Sequence, residues 1–241
     1  MRPLTPPAPV PRPPAPAGSA GRAPAGHEDC GPRCWRDLQD ARDPLDARAS
    51  REGARFHVLF VCTANICRSP LAERLTRSAL GPCPAVRVSS AGTHARPGME
   101  MDRRAGGTLT RLGGDPAGFA SCLLTPALVA GADLVLTATG RHRAQAVALH
   151  LAAATRTFTI AEFGALARAV TPERILCHAD PVRRARVLVE EARALRGLVR
   201  VGEPDIADPY GGSWLAYRRA GRTITRSLAA PLRLLTPPPD A

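Results

Sequence analysis

The stretch HVLFVCTANICRSPLAERL, His57 to Leu75, joins two patterns of opposite kind. After His57, VLFVC is an unbroken apolar run, the pattern of a strand buried on both faces. SPLAERLTRSAL has helical spacing, with Leu71, Leu75 and Ala79 four residues apart. Ser69 is placed to cap that helix, and Pro70 suits its first turn. Between the two patterns the chain carries Cys62, Thr63, Ala64, Asn65, Ile66, Cys67 and Arg68, with no glycine among them. A thiol and a guanidinium on a strand-to-helix turn call for a chemical reason.

Outward from that turn, strand-like and helix-like segments alternate. VRVSSAG reads as a second strand, DLVLTAT as a third and RTFTI as a fourth. MDRRAGGTLTRLGG, GRHRAQAVALHLA, AEFGALA and DPVRRARVLVEEARALRG read as helices between and after them. GGSWLAYRRAGRTITRSLAAPLRLL reads as a long final helix. Such alternation predicts an α/β fold with a parallel four-stranded sheet and helices on both faces. The charged helix from Asp180 to Gly197 reads as a solvated insertion.

Residues 1–54 are rich in Pro, Ala, Gly and Arg and carry no core-forming pattern, so they read as a disordered tail before a domain at 55–237. His27, Cys30 and Cys34 lie in that tail; they lack a fourth ligand, and no metal or other cofactor is expected. All 33 basic residues are arginine and the net charge is +12. The arginines are scattered and aromatics make up only 4%, which argues against a nucleic-acid partner. The seven cysteines, an odd number without a secretory leader, fit free thiols in a reducing cytoplasm. No run is long and apolar enough to suggest a membrane span.

In parallel sheets ligands bind beyond the carboxyl ends of the strands, against helix N-termini. Cys62 ends the first strand and Ser69 opens the first helix, so the turn between them lies where a site is expected. Its backbone N–H groups can form an anion nest, and Arg68 adds a fork for two oxygens of a phosphate. That positive surrounding favours a thiolate at Cys62. The combination is a nucleophile facing a tetrahedral oxyanion.

VLFVCTANICRSPLAE resembles the phosphate-binding loop of the low-molecular-weight protein tyrosine phosphatases. The resemblance runs from about Phe56 to Leu235 and takes in SSAGT (89–93), ADLVLTAT (132–139), TFTIAEF (157–163) and DPYGG (208–212), in matching order and spacing. It implies a flavodoxin-like fold with the phosphatase loop after the first strand. Phosphotyrosine in a protein substrate would be hydrolysed through a phosphocysteine intermediate. In that reading Cys62 is the nucleophile, Arg68 binds the phosphoryl oxygens and Asp208, rather than Asp205, is the general acid. Thr63, Ala64, Asn65, Ile66, Cys67 and Ser69 complete the loop. Ser69 hydrogen-bonds the thiolate, and Asn65 supports the loop with Ser90 as a partner. Tyr210 walls the pocket, and Thr63 and Ile66 lie at its mouth. Related arginine phosphatases resemble this family with Thr at the place of Ile66, so Ile66 favours an aryl phosphate. The resemblance also implies that Cys67 can trap an oxidised Cys62 as a disulfide.

Three positions depart from the family pattern. Ala64 stands where glycine is usual and is expected to carry backbone strain of ~1 kcal/mol. Phe119 and Cys122 replace a loop-supporting His and an Arg. Two rival readings follow: an arsenate reductase on the same scaffold, and an impaired member that binds phosphoproteins without turnover. The first needs relay cysteines after the third strand, where Cys177 stands alone. The oligomeric state is left open.

Overall fold

The computed structural model describes residues 55–83 and 85–236; the tail assigned to residues 1–54, with His27, Cys30 and Cys34, lies outside them. Strand β1 (Phe56–Cys62) is buried along its whole length. It pairs in parallel with β2 (Val86–Gly92) on one side and β3 (Leu134–Thr137) on the other, and β3 pairs with β4 (Thr157–Thr159). The order β2-β1-β3-β4 is the expected parallel four-stranded sheet.

Side chains of a strand alternate between faces, and β1 uses both. Phe56, Val58 and Phe60 enter a large core, while Leu59 and Val61 enter a smaller one with Leu128, Val129 and Ala146. The large core is closed by α1 (Arg68–Leu80), α5 (Ile160–Ala169), α7 (Pro181–Leu195) and α8 (Trp214–Leu235). The smaller one is covered by α3 (Pro126–Gly131) and α4 (Gly140–Leu149). Between β2 and α3 lies α2 (Arg103–Arg111), and a short α6 (Glu173–Leu176) precedes α7.

Several sequence expectations are corrected. The cap of α1 is Cys67, not Ser69, and it makes no side-chain capping bond. The buried face of α1 runs through Leu71, Ala72 and Thr76, with Ala79 exposed, because 3.6 residues per turn rotate a strict four-residue series off the core. RTFTI gives up both ends: Arg156 closes a 3-10 helix, and Thr159 and Glu162 form a capping box, so Ile160 already starts α5. The α7 helix is no solvated insertion. Val182, Ala185, Leu188 and Ala192 bury one stripe of it in the large core. Helix α3 went unforeseen because its six residues are too few for a periodic signal, although Thr125 caps it and Pro126 opens it.

One contact fixes the spacing of the helices over the large core. A Cβ on Gly164 of α5 would stand 2.3 Å from the Ser227 carbonyl oxygen of α8, so the close approach needs glycine. No described helix is long and apolar enough to cross a membrane.

Candidate active site

The loop from Cys62 to Ser69 leaves the carboxyl end of β1 and turns back into α1. Asn65 takes the sharp turn with φ 55°, the left-handed region, which asparagine tolerates better than most residues. Ala64 is not at positive φ, so the strain expected there is absent. Room for the turn comes from β2. A Cβ on Gly92 would meet Thr63 O at 2.5 Å, Asn65 N at 2.8 Å and Ala64 C at 2.9 Å.

Asn65 is fully buried and all its polar capacity toward the loop is used. Its Nδ2 donates to Ser69 Oγ and Ser90 Oγ, each at 2.8 Å, and its Oδ1 accepts from the Cys122 backbone N–H at 2.8 Å. The segment that departs from the family pattern thus supports the loop through backbone rather than side chain. Phe119 packs under the Arg74 guanidinium, 5.6 Å from its ring centre. Ser90 passes the network on by donating to buried Glu73, whose carboxyl is raised by burial although Arg77 lies 3.0 Å away.

Cys62 Sγ lies 3.0 Å from Ser69 Oγ. Ser69 already accepts from Asn65, and the other acceptor for its proton, the Ala91 carbonyl, is a longer 3.4 Å away, so the proton can turn to a thiolate at 3.0 Å. No backbone N–H from Thr63 to Cys67 donates to another group among the described residues. Arg68 closes the nest. Its Nη1 donates to Ile206 O at 3.0 Å and its Nη2 to Asp208 Oδ2 at 2.6 Å, but its buried Nε has no partner among the described residues. A buried cationic donor without an acceptor is costly, and an oxyanion in the nest would satisfy it. Cys67, by contrast, is a quiet thiol. Burial, reinforced by the Asp102 carboxylate, pushes it up to about 12, so it stays protonated at neutral pH.

Asp208 comes from a loop 140 residues away in sequence from Arg68. That loop is anchored at Ile206, whose N–H donates to Ala138 O at 2.8 Å, and at Asp205, which accepts from Gly140 N–H at 2.8 Å. Asp205 therefore holds the start of α4 and leaves the nest to Asp208. Tyr210 stands at the rim, 66% exposed, with its N–H on Asp208 Oδ1. Ile66 is half-buried against the core, and its carbonyl accepts from Asp102 N–H.

Sequence reasoning missed two residues. Gly92 was read only as part of SSAGT. His142 was read only as a helical residue, yet it is buried beside the loop, its Nε2 2.9 Å from Thr63 Oγ1 and its Nδ1 2.7 Å from Thr139 Oγ1. Burial, with Arg68 adding to it, lowers its pKa to about 4, so it meets Thr63 neutral. The signal available was Thr139 followed three residues on by His142, at the carboxyl end of β3. His57, the other buried histidine, sits at the opposite end of β1 and belongs to the sheet. No group of three metal-ligating side chains occurs among the described residues.

A parallel α/β sheet that delivers a cysteine, an anion nest and a C-x5-R arginine to one strand end defines a thiol-based phosphate-loop protein. The family model "Low molecular weight phosphotyrosine protein phosphatase" matches residues 57–173. Low molecular weight protein-tyrosine-phosphatase Etp of Escherichia coli K12 is 39% identical over 92 residues, 38% of this chain and 60% of that protein's length. A protein-arginine-phosphatase of Geobacillus stearothermophilus is 30% identical over 165 residues, 68% of this chain and 86% of that one. The solved YwlE arginine phosphatase from Geobacillus stearothermophilus superposes with TM-score 0.55 at 28% identity, covering 74% of this chain and 91% of that one. The chain belongs to the low-molecular-weight protein-tyrosine-phosphatase family.

Proposed function

We propose that this protein hydrolyses phosphotyrosine monoesters in protein substrates through a phosphocysteine intermediate. The observation that carries the reading is the nest of unpartnered N–H donors and the unpartnered Arg68 Nε around Cys62. In the first step the Cys62 thiolate attacks phosphorus, an S–P bond forms and the P–O bond to the tyrosine breaks. Asp208 gives the leaving oxygen its proton. Arg68 and the loop amides hold the three non-bridging oxygens, where charge develops. In the second step a water attacks phosphorus, Asp208 takes its proton, and Cys62 leaves as thiolate with inorganic phosphate as product.

The Arg68–Asp208 pair at 2.6 Å is the resting arrangement of this cycle. A phosphoryl dianion competes with the Asp208 carboxylate for the guanidinium and frees it; the released carboxylate takes up a proton from solvent and then faces the leaving group as the acid. Ser69 Oγ steadies the thiolate, and Asn65 and Ser90 keep the loop turned toward it. The free thiols at all five described cysteines suit work in a reducing cytoplasm.

Two observations bear on the substrate. Tyr210 is exposed beside Asp208, and the chain carries Ile66 where the resemblance gives arginine phosphatases a Thr, a combination that favours an aryl ring. The length of the match to a protein-arginine-phosphatase favours phosphoarginine as the second reading. The test is hydrolysis of paired phosphotyrosine and phosphoarginine peptides by the full chain, with Cys62→Ser as control. Turnover of the tyrosine peptide that disappears in Cys62→Ser, while inorganic phosphate still binds, is the expected result. Preference for the arginine peptide would overturn the tyrosine assignment, and undiminished turnover in Cys62→Ser would overturn the nucleophile.

A further inference from the structure

The arginine content of this chain is not evenly spent. Helices α2 and α8 lie side by side and contain no Asp or Glu between them. Arg103, Arg104 and Arg111 of α2 line a cavity of about 390 Å³ together with Trp214 and Tyr217 of α8. Arg218, one turn on from Trp214, stacks over its indole ring at 4.8 Å. Arg103, Arg111 and Arg218 form no ion pair with any described residue. Asp102, the nearest acid in sequence, is already committed. It caps α2 through the N–H groups of Arg104 and Ala105, and it holds the Tyr217 hydroxyl. Trp214 is 58% exposed even with Arg218 over its ring, so it offers aromatic surface beside unpaired cations.

The cavity adjoins the catalytic loops on both sides. Asp102 N–H donates to Ile66 O of the phosphate loop at 2.9 Å. Arg104 Nη1 donates to Gly212 O, four residues beyond Asp208. An extended peptide advances ~3.3–3.6 Å per residue, so residues within a few positions of a bound phosphotyrosine reach this surface.

We infer that the basic cavity between α2 and α8 docks acidic residues flanking the phosphotyrosine of a protein substrate. This inference rests on the phosphotyrosine phosphatase reading above. Unpaired arginines supply bidentate partners for carboxylates, and Trp214 supplies apolar contact for the intervening chain. Such a rim of charge selects partners and speeds encounter more than it adds affinity. It gives the enzyme a preference that the phosphate loop, which sees only the phosphoryl group and ring, does not provide.

The test uses the full chain and two phosphotyrosine peptides of equal length, one with Asp and Glu around the tyrosine and one with Ser and Gly there. Three exposed ion pairs predict a kcat/KM ratio of roughly tenfold in favour of the acidic peptide at low salt. The ratio should collapse toward one at high salt and in the triple variant Arg103→Glu, Arg111→Glu, Arg218→Glu. Hydrolysis of p-nitrophenyl phosphate, which does not reach these side chains, reports whether that variant is folded; the triple Gln variant replaces it if it is not. A wild-type ratio near one, or a ratio unchanged by charge reversal, overturns the inference. If no phosphate ester is hydrolysed, the phosphatase reading fails separately and the surface is still measurable. Trp214 and Trp35 are the only tryptophans, so Trp35→Phe makes Trp214 a local fluorescence reporter. An unphosphorylated acidic peptide should shift its emission in the arginine protein and not in the Glu variant. No shift, or a single-stranded oligonucleotide acting at lower concentration than the peptide, overturns the peptide assignment.

Discussion

Gly92→Ala tests whether the phosphate loop is held in shape by its approach to β2. The new Cβ would lie 2.5 Å from Thr63 O, 2.8 Å from Asn65 N and 2.9 Å from Ala64 C, all backbone atoms that no rotamer change can move. Contacts of this kind settle near 3.5 Å, so about 1 Å of displacement is required. The strand cannot supply it. Gly92 is in register with Cys62, its N–H donates to Cys122 O at 2.9 Å, and its carbonyl accepts from Leu124 N–H at 2.8 Å. The loop moves instead, and with it the amides that face the phosphoryl oxygens. A misplacement of ~1 Å costs on the order of 100-fold in rate, and the overpacking costs roughly 1–3 kcal/mol of stability. The assay is kcat/KM on an aryl phosphate together with urea unfolding. Gly131→Ala serves as control, because a Cβ there meets nothing within 4 Å. A Gly92→Ala protein within twofold of wild type in kcat/KM would refute the reasoning. So would a loss of activity accounted for by unfolding alone.

Asp208→Asn should slow turnover by ~100- to 10,000-fold for phosphotyrosine, whose phenolate is a poor leaving group, and by less for aryl phosphates of more acidic phenols. Single-turnover rates across a graded series check this, and an equal loss at every leaving group would remove Asp208 from the acid role. His57 is buried neutral, lowered to about 4 first by burial and then by Arg87, against 6.5 for the free side chain. The unfolded chain therefore binds the extra proton first. Stability contributed by this group is complete above pH 6.5 and drains away as pH falls toward 4, by about 2 kcal/mol between pH 7 and pH 5. Urea unfolding of wild type and His57→Asn should show that the variant has a shallower fall over this range; identical slopes would show that His57 is not the titrating group.

The sequence by itself determined the sheet, most of its helices and the loop at its heart. These are local matters: an apolar run, a 3.6-residue period, a proline in a first turn and a cysteine, an asparagine and an arginine within seven residues of one another. Asp208 was legible only through the resemblance of DPYGG to a family motif, since nothing local joins it to Arg68. Tertiary structure decided the rest. It carried Asp208 to 2.6 Å from Arg68 and pinned Ile206 and Asp205 to the end of β3 and the start of α4. It turned His142 onto Thr63 and brought Gly92 against the loop backbone, where a missing Cβ matters only because of what stands opposite. It also moved the positive-φ turn from Ala64, where the family pattern suggested strain, to Asn65, whose side chain is bonded on three sides. The arginines read as scattered along the chain, because charge in one dimension has no neighbours across helices. Helices α2 and α8, far apart in the chain, had to pack before the arginines of one and the tryptophan of the other lined one cavity. Such contacts depend on the direction and packing of elements far apart in the chain, which no periodicity within either element encodes.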